Sequence, residues 1–525
     1  MVEKTDKPVQ DTAGEPSAER GDTQLLATLG YKQELRRHYS TVQVFAIAFS
    51  IMGLLPSIAS TLSFSIPAGP VGMVWGWLAA SVFIFIVGLA MADLASAMPT
   101  AGGLYFWTHY FSGEKWKNPL SFVVGYSNTI GLIGGVCSID YGFATMLLAI
   151  VSIARDGNWT ASRPVVYGTY VGCVVVHGLI ATLFARIMPK IQSICIVTNI
   201  GLVIATVIAL PIGKAVNGGT INSGSYVFGK LENLTTWPSG WAFMLAWLSP
   251  IWTIGAFDSC VHMSEEATNA AHAVPLGILW SCGLCGVLGF LSLAVIAAVI
   301  NTDLDAVMGT AFGQPMAQIY YDCLGKPGAL GFMAVVALVQ FFMGLSLVVA
   351  ASRQSWAFSR DGALPFSSFF RHVSARIRYQ PVRMVWGVVI AAIIIGLLSL
   401  INAAAANALF SLAVASNDLA WMMPILCRLI WGHDRFHPGV FYTGRFSKII
   451  AVTAVVYLGL GGVSPEDMNY TVVINGALWG GALIYYLLHA RKTYKGPQAT
   501  VHSPSSSNTP SDTNSERMGS EKVVL

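Results

Sequence analysis

Three aspartates fall inside stretches apolar enough to cross a bilayer: Asp140 after Cys137-Ser138-Ile139, Asp258 after Gly255-Ala256-Phe257, and Asp418 after Ser416-Asn417. A carboxylate in hydrocarbon is costly, so each is a candidate for taking up a proton or holding a substrate ammonium. An aspartate that caps a broken helix, or pairs with a neighbouring helix, accounts for each of them equally well. Glu265 and Glu266 lie near the end of the run that contains Asp258 and read as gate or loop contacts.

Two of the apolar runs carry residues that interrupt a helix. The first holds Gly53 and Pro56; the sixth holds Pro250 and Gly255. Backbone groups freed by such breaks are tolerated in lipid only where they are buried or line a cavity. Runs one and six correspond if the first ten helices form two repeats of five, and paired interruptions of this kind mark the central site of many transporters. Exposed half-helix N-termini attract a carboxylate and exposed carbonyls attract an ammonium, so a zwitterion suits such a site without a full protein charge. Glycine and proline are also common in membrane helices in general, which is the plainer account of either segment alone.

These positions must be held by elements that the composition already constrains. Of 525 residues, 54% are hydrophobic and 11% charged, with a mean hydropathy of +0.61; a soluble domain carries about 25% charged residues. The formal charge of +4 is too small to point to nucleic acid. Cys282 and Cys285 have CxxC spacing but lie within an apolar run, so no metal site is expected. No HExxH or GxSxG motif is present, and no catalytic residues or cofactor are assigned. An enzyme is not expected.

Apolar runs near 42–64, 71–97, 120–152, 164–185, 191–212, 240–261, 274–300, 328–351, 384–401, 405–427, 447–463 and 470–489 predict an all-α membrane protein of about 12 spans. Residues 41–490 form the membrane domain, between polar tails at 1–40 and 491–525 that read as disordered and cytosolic. With the N-terminus inside, all but five of the 30 Lys and Arg fall on the cytosolic side, the exceptions being Arg155, Arg163, Lys214, Lys230 and Lys326. Sequons at Asn158, Asn233 and Asn469 all fall in loops on the opposite side, as glycosylation candidates. The eleventh run is short: Ile449–Val463 gives about 22 Å of helix against a hydrocarbon core of about 30 Å. Either the helix sits in a thinned bilayer, or residues are missing from this part of the chain.

Longer motifs carry a resemblance. Pro99-Thr-Ala-Gly-Gly-Leu-Tyr-Phe-Trp107, Gly255-Ala-Phe-Asp258 with Glu265-Glu266 beyond it, and Ala357-Phe-Ser-Arg-Asp-Gly-Ala-Leu-Pro365 resemble the amino acid–polyamine–organocation superfamily, in its fungal amino acid and choline branch. Leu29–Leu35, Ala48–Ser60, Gly135–Gly142, Ser259–Glu266 and Ala408–Ala415 are similar to the fungal 4-aminobutyrate (GABA) permeases, and the likeness covers roughly 24–495. The resemblance implies a leucine-transporter-like 5+5 inverted repeat plus two C-terminal helices. It also implies alternating access and secondary transport of GABA or a similar small amino acid or amine, with a proton as coupling ion. By position, Ser50, Met52, Gly53 and Leu54 of the first break and Gly255, Ala256 and Phe257 of the sixth would bind substrate. Plasma membrane is favoured over vacuolar membrane. The same fold also accommodates a choline, polyamine or basic-metabolite transporter, exporters included, or a non-transporting nutrient sensor.

Overall fold

The computed structural model describes residues 17–184, 187–374, 377, 379–461 and 471–498. Regular structure among these residues is helical, apart from two isolated bridges, Tyr39 with Ala267 and Ser374 with Gln380. Each run expected to span a membrane is a helix, and the reason is elementary. Hydrocarbon offers backbone groups no water, so each N–H and C=O must be satisfied within its own segment.

Span one is two half-helices, Thr41–Met52 and Leu54–Ser65, followed by Gly69–Ala97, Lys117–Ala154, Arg163–Leu183 and Met188–Val216. Span six is assembled from short pieces, Ser239–Leu245, Leu248–Ile254, a 3-10 turn at Gly255–Asp258, and Ser259–His262. Ala270–Val299, Pro315–Arg360, Val382–Gly396 and Ala403–Trp431 complete the second set of five. The interruptions thus fall at corresponding places, in the first helix of each set. Counterparts also pack on one another: span one against six, two against seven, three against eight, and four against nine. This is the leucine-transporter-like inverted repeat, with spans eleven (Ser447–Gly461, 15 residues) and twelve (Thr471–Leu488) appended to it.

The core is nearly continuous through all ten helices of the repeats. Trp77 shows how close the packing is. Its ring lies where a side chain on Gly289 would stand, and its Nε1 donates to the Gly286 carbonyl at 3.1 Å. On the outside Val197, Trp280 and Ile394 are exposed, as a lipid-facing surface requires. Trp75 and Trp237 are partly exposed, whereas Trp77 is buried packing.

The described parts of the two tail regions, 17–40 and 491–498, are packed on the protein. Ser17–Thr28 is a helix, and Leu26, Tyr31, Leu35 and Tyr39 are buried against the protein. His38 and Tyr39 N–H donate to the Glu266 carbonyl at 2.9 and 3.1 Å, and Asp22 caps span seven by accepting from the Asn269 and Ala270 N–H at 2.6 and 3.0 Å. At the other end Tyr494 is buried among Phe122 and Phe358, and its hydroxyl lies 2.7 Å from that of Ser121. Apolar residues spaced thinly through polar sequence are enough for docking on a large preformed surface, although they could not build a core alone. Residues 1–16, 499–525 and the sequon at Asn469 lie outside the described residues.

Asp22→Ala removes two capping bonds from span seven. The expected cost is about 1 kcal/mol, read as a lower thermal midpoint of the purified protein in detergent, with earlier proteolysis before Tyr31; an unchanged midpoint and cleavage rate would contradict the cap.

Candidate functional site

The first break is set by one residue. Gly53 has φ 38° and ψ 68°, a left-handed conformation, and a Cβ there would lie 2.0 Å from Met343 Sδ. Pro56 sits in the first turn of the outer half-helix, where its missing N–H breaks no helical bond. The Ser57 hydroxyl donates to the Met52 carbonyl at 2.5 Å, satisfying an acceptor that the break had freed. In span six the α-helix ends at Ile254 and tightens into the 3-10 turn over Gly255, where the Trp421 ring lies 3.1 Å from an added Cβ.

Between the breaks lies a narrow cavity of about 40 Å³, room for a few water molecules. Span one contributes Ile51 and Ser57; span three Gly131, Gly135 and Ile139; span six Trp252, Gly255 and Ala256; span eight Leu347; span ten Ala413, Asn417 and Trp421. No charged side chain lines it. The available polarity comes from helix ends and a few neutral groups. The N-terminus of Leu54–Ser65 has no side-chain cap, and the inner half-helix ends beside it at Met52. The break thus brings a partial positive and a partial negative helix end together beside the cavity.

Of the residues expected to bind substrate, Gly255 and Ala256 are in the wall. Phe257 is one layer back, its ring 4.6 Å from that of Trp421. Ser50, Met52, Gly53 and Leu54 shape the break but do not line the cavity; Ile51 and Ser57 do. Trp252, Asn417 and Trp421 escaped the sequence reading. Asn417 was hidden beside the more conspicuous Asp418, and the glycines of span three carried a usable signal in their spacing at 131 and 135.

The three buried aspartates separate clearly. Asp258 Oδ2 accepts from Asn128 Nδ2 at 3.0 Å and from the Trp421 indole at 3.1 Å, and lies 3.6 Å from His262 Nε2. Asn128 also donates to Asn417 Oδ1 at 3.3 Å, so Asp258 is tied to two wall residues. Asp140 pairs with His177 Nδ1 at 3.1 Å, in a space left by Gly344. Cys173 joins them, with all three ligand atoms within 4.8 Å, but the imidazole nitrogen is already engaged by the carboxylate. Asp418 is buried off the cavity, and its Oδ1 has no hydrogen-bond partner among the described residues. Asn158 and Asn233 are exposed in loops.

On the face that carries the tails, buried acids are paired with arginines. Glu265 receives both terminal nitrogens of Arg360 at 3.1 Å, and Glu266 receives Arg353 Nε at 2.8 Å. Asp361 accepts from the hydroxyls of Tyr31 and Tyr105 at 3.1 and 2.7 Å, and from the Gln498 N–H at 3.2 Å. Four separate stretches of chain therefore meet on one carboxyl. Burial pushes this carboxyl up to about 6, against the opposing pull of Arg360 and the hydroxyl donors.

The Amino acid permease family profile matches residues 39–478. A GABA-specific permease of Saccharomyces cerevisiae is 45% identical over 91% of this chain and 86% of its own. An uncharacterized amino-acid permease of Schizosaccharomyces pombe is 34% identical over 93% and 91%. Amino-acid permease 2 of Neurospora crassa is 28% identical over 94% and 92%.

Two outcomes follow from this geometry. An added Cβ on Gly131 would stand 2.3 Å from Asn417 Oδ1; Gly131→Ala is expected to raise the KM for substrate about tenfold, the effect of roughly 1.4 kcal/mol, with surface expression unchanged. Unaltered uptake kinetics would remove Asn417 from the site. The Asp361 carboxyl holds its proton more tightly docked than free, so its contribution to docking is full below the ordinary carboxylate range and is lost as pH rises through about 6. Hydrogen exchange of residues 26–35, corrected for intrinsic rates, should be slower at pH 5 than at pH 7.5 by about tenfold, and Asp361→Asn should abolish the difference.

Proposed function

The chain belongs to the amino acid permease family, and from that membership we propose that it carries GABA, or a similar small amino acid or amine, across a membrane by alternating access. The observation that carries the substrate class is the uncharged cavity at the two helix breaks. An unpaired protein charge there would favour a net anion or cation. Opposed helix ends instead favour a molecule that bears both charges some distance apart. The extensive similarity to a GABA-specific permease supports GABA as the first substrate to try.

The tails and basic loops lie in the cytosol in this reading, and Asn158 and Asn233 lie outside, with the plasma membrane as the site of action. Covalent bonds are neither made nor broken; the work is concentrative, and a proton supplies it. Among the three aspartates, Asp258 is the one joined by hydrogen bonds to the cavity wall, through Trp421 and through Asn128 to Asn417. Asp140 pairs within spans three and four, and Asp418 lies off the cavity. Asp258 is therefore the aspartate through which a coupled proton would act on the cavity wall.

Uptake of radiolabelled GABA by cells that lack their own GABA permeases tests the proposal, with and without this chain, at pH 5 and pH 7.5. Saturable uptake, stronger at acid pH and competed by unlabelled GABA but not by choline or spermidine, is the expected outcome. Competition by either cation would move the chain to that cargo, and absence of uptake despite surface expression would remove the importer reading altogether. Asp258→Asn is expected to abolish the acid stimulation and lower uptake at least tenfold.

A further inference from the structure

Below the cavity, one arrangement of buried polar groups has an incomplete count of protons. His262 and Asp258 are one helical turn apart and fully buried. His262 Nδ1 lies 3.1 Å from the Ala101 carbonyl oxygen, which can only accept, so Nδ1 carries a hydrogen and donates it. In the neutral ring Nε2 is then a bare lone pair. Among the described residues it has no hydrogen-bond partner, and it faces Asp258 Oδ2 at 3.6 Å, itself an acceptor. Two buried acceptors face one another, and a single proton turns their repulsion into an ion pair.

Resting on the uptake reading above, we infer that His262 is the residue on which the coupled proton is carried past the substrate cavity, with Asp258 as its counter-charge. Asp258 Oδ2 already accepts from Asn128 and Trp421, whereas His262 Nε2 has an open lone pair, so the added proton is placed on the imidazole.

The surroundings leave His262 without a rival for that charge. The inner half of span one, packed against it, has no titratable side chain. Span eight brings Arg353 and Arg360, bound to Glu266 and Glu265. The start of span seven brings His272. The segment that supplies the Ala101 carbonyl brings Tyr105, bound to Asp361. Position adds a second argument. Asp258 closes the 3-10 turn, and His262 ends the short helix that follows it. With the proton present, the pair draws this turn together and keeps Trp421 and Asn128 on Asp258. With the proton gone, the two acceptors repel across the turn and loosen both wall contacts. Ala101 N–H also donates to Glu265 Oε1 at 3.2 Å, so the same loop that orients His262 touches the Glu265–Arg360 pair. Loss of the proton toward the cytosol and opening of that side are thereby linked.

The test uses the full chain in proteoliposomes. His262→Gln keeps a donor for the Ala101 carbonyl and cannot carry a proton. It should retain counterflow exchange of labelled GABA within about threefold of wild type, while gradient-driven accumulation and GABA-linked proton influx fall at least tenfold and the pH profile flattens. His262→Lys, with a fixed charge beside Asp258, should show the same split. Accumulation with the wild-type pH profile in either variant overturns the inference. Should neither variant reach the membrane, wild type decides: with ring-labelled histidine, its infrared difference spectrum should contain an imidazolium band lost on raising pH and altered by GABA. A spectrum without a GABA-sensitive imidazolium overturns it. If wild type itself accumulates no GABA at acid pH, the uptake reading fails first; if wild type is proton-coupled and the variants remain so, the role of His262 alone fails.

Discussion

The structure depends on one constraint, that hydrocarbon offers backbone groups no hydrogen bonds. Ten helices meet it within themselves. Two do not, and the places where they fail, at Gly53 and around Gly255, face each other across the cavity. The breaks are tolerated because they are buried in protein. Elsewhere on the chain they would be exposed to lipid at a cost of several kcal/mol per unsatisfied group. The site is therefore less an addition to the fold than the one location where the fold can leave backbone poles uncommitted.

The same low dielectric governs the charges on the tail-bearing face. Glu265, Glu266, Asp93 and Asp361 are all buried, and the first three have an arginine partner within 3.6 Å. Buried ion pairs add little net stability because desolvation offsets their attraction, yet removing one partner is severe. Their arrangement is thus better understood as fixing a state than as strengthening the protein. Arg360 binds span six through Glu265 and stacks 4.2 Å over the Tyr31 ring, so span six and the N-terminal tail are held by the same cation. Separating spans six and eight would require these groups to find water or new partners together.

Much of this architecture was legible in the sequence, for physical reasons that also explain what was not. Lipid imposes length and apolarity on every span, so helices could be counted without alignment. Glycine and proline inside such lengths exposed the breaks. Side-chain direction within an unwound turn does not follow helical periodicity, and for that reason Ile51 and Ser57 line the cavity where Ser50, Met52 and Leu54 had been expected. Contacts between distant segments left no local trace: Asn417 is assigned its role by Asn128, and Tyr31 by Asp361. In the described N-terminal segment, Leu26, Tyr31 and Leu35 are too few to predict order from composition and yet sufficient to dock. The eleventh helix is described over Ser447–Gly461, and its Tyr457 stacks on Phe83 at 5.1 Å, placing it firmly against span two.

The buried acids differ most in what their neighbours are free to do. Asp140 and His177 lie on spans three and four, which pack on each other and on span eight, a regular helix beyond its kink at Gly325. A proton gained or lost there changes a pair whose supporting backbone is regular on every side, and a regular helix has no second arrangement close in energy. Asp258 and His262 lie on backbone that has already left the α-helical register, between a 3-10 turn and a four-residue helix. Its hydrogen-bonding pattern can be exchanged locally without breaking a long ladder. A charge change becomes a shape change only where such an alternative exists. On this argument the interruption of span six serves two ends at once: it supplies poles for the substrate, and it places the titratable pair on the segment of the fold best able to respond to it.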